Sequence, residues 1–155
     1  MARIDDFDED RFLQSVTANA PTTAVRNAII ELLKFAKGNS DVIKGGKASL
    51  GSFHYQIDID AKTLTLFTVD ATGYISVSLG SFVKRPPMVL GKNIVKLRST
   101  LANISGTTGR GFESFRLDYD SRPGFSIAET VVSPNVMKQF QSALLKFQRD
   151  APVLW

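Results

Sequence analysis

Apolar and polar residues alternate strictly from Ser52 to Ile59, with Phe53, Tyr55, Ile57 and Ile59 on one side and His54, Gln56, Asp58 and Asp60 on the other. A period of two is that of a strand with one dry face and one wet face. Asp60-Ala61-Lys62 then turns the chain into Thr63 to Val69. There Leu64, Leu66, Phe67 and Val69 break the alternation, the pattern of a central strand partly covered on both faces. Asp70-Ala71-Thr72-Gly73 reads as a second tight turn. Beyond it, Tyr74 to Leu79 alternates again, Ile75, Val77 and Leu79 inward and Tyr74, Ser76 and Ser78 outward. The three segments predict an antiparallel meander.

Helical spacing flanks this sheet. Asp8 to Val16 has acids in its first turn, where the helix macrodipole favours them, and Phe12 and Val16 on one side. A second helix begins near Pro21, after Asn19 or Ala20. Its stripe of Val25, Ala28, Ile29, Leu32, Leu33 and Ala36 runs until Gly38-Asn39-Ser40 stops it. Lys44 to Gly51 is a Gly-rich lead-in to the first strand and reads as a flexible helix-to-strand connection. After Phe82, Lys84-Arg85-Pro86-Pro87-Met88 must leave the sheet, because consecutive prolines donate nothing to a ladder. Gly91 to Ile104 predicts an amphipathic basic helix, with Ile94, Leu97, Leu101 and Ile104 as its apolar stripe. Thr107 to Gly111 is the most flexible segment by composition. Phe115 to Tyr119 and Phe125 to Ala128 offer short strands, and Ser133-Pro134-Asn135 opens a last helix with Val136, Phe140, Ala143, Leu144 and Phe147 inward.

The order of elements predicts an α+β fold over residues 1 to 155 as a single domain. Its sheet is an antiparallel three-stranded meander extended by one or two short strands, with about four helices packed mainly on one face. Residues 1 to 10 form an acidic, mobile N-terminal segment in this reading. The succession of Gly51-Ser52-Phe53, Leu66-Phe67-Thr68-Val69, Gly73-Tyr74-Ile75, Lys84-Arg85-Pro86-Pro87 and Arg122-Pro123 between helices resembles a widespread small bacterial α+β domain to which no activity is attached. The resemblance extends over roughly residues 25 to 155. It implies a fold and carries over no functional residue.

Composition narrows the class. With 43% hydrophobic and 22% charged residues the chain has a globular rather than a disordered composition, and 155 residues suffice for a core without staples. The absence of cysteine rules out disulfides and thiolate metal sites, in keeping with a reducing cytoplasm. The acidic start lacks the basic flank and apolar run of a signal peptide, and no segment is apolar over the roughly 18 residues a membrane helix needs. A cytoplasmic protein with no membrane contact is expected.

The net charge of +4 conceals an asymmetry. Five acids (Asp5, Asp6, Asp8, Glu9, Asp10) crowd the first ten residues against one base, Arg3, leaving the rest of the chain with 18 bases and 10 acids, a surplus of eight. Eight bases fall between Lys84 and Arg122. Of these, Lys84, Arg85, Lys92, Lys96, Arg98, Arg110 and Arg116 are the candidate phosphate contacts for a nucleic acid. The outward strand residues His54, Gln56, Thr65, Tyr74, Ser76 and Ser78 are a second candidate surface, since an open sheet face with an aromatic can stack bases.

Catalytic readings are weaker than their structural alternatives. Lys44 to Gly51 precedes a strand instead of opening a helix, so it lacks the setting of a phosphate loop. Gly106-Thr107-Thr108-Gly109-Arg110-Gly111 lacks a following helix in the same way. Asp58-Ile59-Asp60-Ala61-Lys62 contains the acid-x-Lys pattern of metal-dependent nucleases, but it sits in a predicted hairpin tip with only Asp70 as a further nearby acid. His54 is the sole histidine, and Asp58, about 13 Å further along the strand, cannot reach it. Glu31, Glu113 and Glu129 form no acid-base pair.

No metal, cofactor or catalytic residue is therefore assigned. The sequence points to a small noncatalytic binding module. A nucleic-acid partner through residues 84 to 122 is the leading function, a protein-interaction or homo-oligomeric assembly role the alternative, and a metal-dependent nuclease a distant third.

Overall fold

The structure, a computed structural model, describes residues 2–47, 49–59, 62–78, 90–104 and 124–150; in 90–104, side chains are described from residue 96. Among the described residues it is α+β, with four helices and one six-stranded mixed sheet whose spatial order follows the chain, β1-β2-β3-β4-β5-β6. The strands are β1 (Arg3–Asp5), β2 (Val42–Gly45), β3 (Ser52–Ile59), β4 (Lys62–Asp70), β5 (Tyr74–Val77) and β6 (Gly124–Ser126). The helices are α1 (Glu9–Asn19), α2 (Thr23–Asn39), α3 (Leu90–Ala102) and α4 (Pro134–Asp150), with a 3₁₀ turn at Ile127–Glu129.

The predicted meander is the centre of the sheet, β3-β4-β5, but it is not the whole of it. One end gains two strands that periodicity did not separate from loop, and the other gains the expected short strand at Phe125, which begins one residue earlier, at Gly124. Val42 to Gly45, the end of α2's connection and the start of the Gly-rich lead-in, pairs antiparallel with β3. The acidic N-terminal segment supplies β1, which pairs parallel to β2 in the register Arg3↔Val42, Ile4↔Ile43, Asp5↔Lys44. Parallel pairing needs a crossover, and α1 and α2 supply it. At the other end β6 pairs with β5, Ile75 opposite Phe125.

The broken alternation of β4 has a local cause. Tyr55 lies opposite Phe67, yet the next residue Gln56 lies opposite Thr65, so Leu66 is an extra residue, a β-bulge. The bulge reverses the side-chain parity of β4. Leu64 thereby comes opposite Ile57 and Phe67 opposite Tyr55, both against core-facing partners, and Leu66 itself is fully buried. Coverage on both faces is not needed to explain the pattern.

Helices α1, α2 and α4 deliver their apolar stripes to one face. Phe35 of α2 stacks on Tyr55 at 5.6 Å, Tyr55 on Phe67 at 4.8 Å, and Phe140 of α4 sets its edge against Phe67 at 5.5 Å and Phe125 at 5.7 Å. In α4 the buried stripe is Met137, Phe140, Ala143, Leu144 and Phe147, with Val136 only partly covered. Local signals set the helix starts: the Asp8 carboxylate accepts from the Arg11 amide at 3.1 Å, and the Thr22 hydroxyl from the Val25 amide at 3.1 Å. Thr22 caps α2, whose first residue is Thr23, two positions after the Pro21 near which the sequence placed its start. Among the described residues no helix is long and apolar enough to cross a membrane. The predicted Pro86-Pro87 linker, the flexible Thr107 to Gly111 segment and the Phe115 to Tyr119 strand lie outside the described residues.

Candidate functional site

The register brings the predicted polar sheet face together. Lys44, His54, Thr68, Ser76 and Gly124 form one row across five strands, and Val42, Gln56 and Thr65 the next. The polar groups in these rows bind one another. His54 Nδ1 and the Thr68 hydroxyl lie 2.6 Å apart, and the Gln56 amide nitrogen donates to the Thr65 hydroxyl at 3.1 Å. Gln56 and Ser78 are buried, His54 and Ser76 half-buried, and only Tyr74 is well exposed. The Tyr74 ring is also committed. A Cβ placed at Gly124 would lie 2.5 to 2.7 Å from it, so the aromatic covers the bare backbone of the neighbouring strand. Among the described residues Tyr74 is the one well-exposed aromatic of this face, where sheet-based stacking uses two or three rings.

The basic set is not gathered in the same way. Lys84, Arg85, Arg110 and Arg116 lie outside the described residues, and Lys92 is on α3 with its side chain not described. Lys96 is exposed, whereas Arg98 is buried at 3% exposure, as two helical positions 200° apart require. Burial lowers the pKa of the Arg98 guanidinium. In this conformation Arg98 belongs to the packing of α3 and not to a solvent-facing cationic stripe.

The acid-x-Lys pattern does not converge on a metal either. Asp58 accepts from the Thr63 hydroxyl at 2.6 Å and from Arg3 at 2.9 Å. The Thr63 bond, helped by Arg3 and opposed by partial desolvation, holds its carboxyl below the usual carboxylate range. Asp70 sits at the far end of the β3-β4 hairpin, opposite Ser52, about 20 Å away at strand rise. Its carboxylate closes the next turn, accepting from the amides of Thr72 and Tyr74 and from the Thr72 hydroxyl. Asp60 lies outside the described residues.

What sequence periodicity missed is a cleft of about 610 Å³ where the N-terminal segment crosses the β2-β3 connection. Ile4, Phe7 and Phe12 give it apolar walls, Gly45, Gly46, Leu50 and Gly51 line the opposite side, and Asp6, Asp8, Arg11, Ser15, Ser49 and Ser52 make it polar elsewhere. Phe7 and Phe12 pack edge-on against Phe53 at 6.1 and 5.4 Å, and their own rings are tilted at 5.6 Å.

Two glycines explain why the chain can close here. A Cβ on Gly45 would stand 2.0 Å from the Asp6 carbonyl oxygen, so the strand and the N-terminal segment approach backbone to backbone. Gly51 has φ +90°, and its carbonyl accepts from the Ala71 amide at 3.0 Å while the Leu50 carbonyl accepts the Ser15 hydroxyl. The glycines of Lys44 to Gly51 thus serve chain crossing. The Gly-rich composition was the available signal, but what it packs against lay forty residues upstream.

The cleft continues onto the outer edge of β1. All three β1 residues are exposed, Ile4 at 57%, and a smaller hollow of about 210 Å³ lies beside Ile4 and Phe7, lined by Glu9, Lys37 and Ile43. The Arg3 amide donates to the Asp41 carbonyl at 2.9 Å, toward β2. Because successive residues of a strand point their backbone groups to opposite sides, the N–H and C=O of Ile4 face away from the sheet. Among the described residues no three His, Cys, Asp or Glu side chains group to hold a metal. Neither a protein-family model, nor a curated protein, nor a solved structure matches this chain.

Proposed function

We propose that this chain is a noncatalytic protein-assembly module that engages a partner polypeptide along β1 and the cleft beside it. The observation that carries this reading is where apolar surface is left in water. Ile4 and Leu50, the two most exposed large hydrophobic residues among those described, line the same cleft, at 57% and 45% exposure. Contiguous apolar surface rimmed by polar groups marks an interaction site more often than scattered exposure does. An exposed strand edge adds main-chain donors and acceptors for an incoming extended segment.

A photoreactive phenylalanine derivative replacing Leu50, with the same residue replacing Leu145 on α4 as the control, tests the reading in the producing cell. Leu145 is also exposed, at 40%, but lies away from the cleft. The expected result is a polypeptide adduct at position 50 that survives about 0.5 M salt, where screening removes phosphate-driven binding. No polypeptide adduct above the level at position 145 overturns it.

A nucleic-acid role is the second reading, favoured by the surplus of eight positive charges after residue 10. It requires binding that weakens steeply with salt, which the same salt step measures.

A further inference from the structure

We infer that the polypeptide taken up by β1 is a second copy of this chain, paired antiparallel across a two-fold axis at Ile4. The inference rests on the reading of β1 as a docking edge and adds to it the partner and the register. Three observations converge on that geometry.

The first is backbone direction. Arg3 spends its amide on Asp41, and the pairing of Asp5 with Lys44 turns its backbone groups inward in the same way. Ile4 alone in β1 offers both an N–H and a C=O outward. In an antiparallel pair, residues with both groups turned to the partner sit directly opposite and exchange two hydrogen bonds. A register centred on Ile4 and its copy is therefore the one this edge can make, with each Ile4 amide donating to the other Ile4 carbonyl.

The second is charge. Read antiparallel about Ile4, Arg3-Ile4-Asp5 is its own complement: Arg3 of each copy faces Asp5 of the other, twice, on the same sheet face. A parallel pairing would set Arg3 against Arg3 and Asp5 against Asp5. Edge strands are commonly protected by charges of one sign, which repel a copy. Here the two signs flank a hydrophobic residue and select one orientation. Arg3 uses one guanidinium nitrogen on Asp58 at 2.9 Å, an exposed pair that leaves the other donors of the fork for the partner's Asp5.

The third is apolar surface. Ile4 projects with Ile43 on the helix-bearing face and lies between the two hollows. In the two-fold pair the two Ile4 side chains meet directly. An isologous contact of this kind closes at two copies instead of growing into a filament. The positive φ of Asp6, +50°, bends the chain off the strand line immediately after Asp5 and keeps the paired segment to three residues. The contact is accordingly small and the association weak, in the range that concentrated solutions reveal.

The test is sedimentation equilibrium from about 10 μM to about 1 mM, a span suited to weak pairs, on four samples: the parent chain, Arg3→Asp, Asp5→Arg, and the two variants mixed. Arg3→Asp presents Asp-Ile-Asp and Asp5→Arg presents Arg-Ile-Arg, so each repels its own copy and complements the other. The parent is expected to dimerise, each variant alone to weaken dimerisation at least tenfold, and the equimolar mixture to regain it. A readout that needs no substitution accompanies this. The Ile4 amide should gain hydrogen-exchange protection with protein concentration, whereas the Arg3 amide, bonded within the chain, should not.

A parent that stays monomeric to the highest concentration, an Ile4 amide that exchanges at one rate throughout, or a mixture no better than its components overturns the two-fold pair. Photoadducts from position 50 to a different polypeptide, alongside a monomeric parent, overturn the homodimer and leave the assembly reading standing. No polypeptide adduct at all, together with a monomeric parent, overturns both.

Discussion

Tyr55 donates its hydroxyl hydrogen to the side-chain oxygen of Gln148 across 2.5 Å, joining the middle of the sheet to the last helix. The Gln148 nitrogen in turn donates to the Asn39 carbonyl at 2.8 Å, at the end of α2. One glutamine thereby ties α4 to both β3 and α2 inside an otherwise aromatic stack. Burial, and after it the charge of Asp41, push the Tyr55 hydroxyl above its ordinary pKa.

Tyr55→Phe should lower stability by about 1 kcal/mol at neutral pH, since it removes a net-favourable bond and leaves the Gln148 oxygen without its donor. The penalty should shrink in alkali. A tyrosine in the unfolded chain releases its proton near pH 10, while native Tyr55 still holds its own. Above that pH the unfolded state binds fewer protons than the native state, so the stability of the parent falls as pH rises. Below it this contribution is fully present. Melting curves of both proteins at about pH 8 and about pH 10.5 check this, and a gap that stays constant between the two rejects it.

Two glycines should respond to alanine in opposite directions. Gly45→Ala places a methyl 2.0 Å from the Asp6 carbonyl oxygen, a backbone atom that cannot step aside without dislodging β1, and should cost about 2 kcal/mol or more. Gly38, in the last turn of α2, has open space where a Cβ would stand, with nothing within 4 Å. Gly38→Ala should therefore gain about 0.5 to 1 kcal/mol by stiffening the unfolded chain and favouring the helix. Urea denaturation measures both, and equal effects would contradict the packing described at Gly45.

Neighbouring bases on α3 should separate just as clearly. Arg98→Glu puts a carboxylate at a position only 3% exposed and should lower stability by several kcal/mol. Lys96→Glu changes an exposed position and should stay within about 0.5 kcal/mol. A charge-reversal test of the nucleic-acid reading should accordingly use Lys96 and leave Arg98 in place. Loss of binding in an Arg98 variant would otherwise report unfolding. Thermal melting of the two single variants decides it, and an unaffected Arg98→Glu protein would place that side chain in solvent.

Periodicity located what depends on short-range physics. The strict alternation of β3, the stripes of α1 and α2, the acid-led start at Asp8 and the Asp70-to-Gly73 turn all follow from residues within a few positions of one another, and so did the α+β class. Tertiary structure decided the rest. Arg3-Ile4-Asp5 and Val42-Ile43-Lys44-Gly45 are too short for a period to declare itself, and they become strands because β3 offers its edge to β2, and β2 in turn offers its own to β1. The bulge at Leu66 is a property of two strands in register, and the burial of Arg98 is set by its position on a helix relative to its neighbours. The cleft needs the N-terminal segment laid against Gly45, a contact between stretches about forty residues apart. A single sequence records each residue's own preferences; which distant backbone comes to lie beside it is settled only when the core closes.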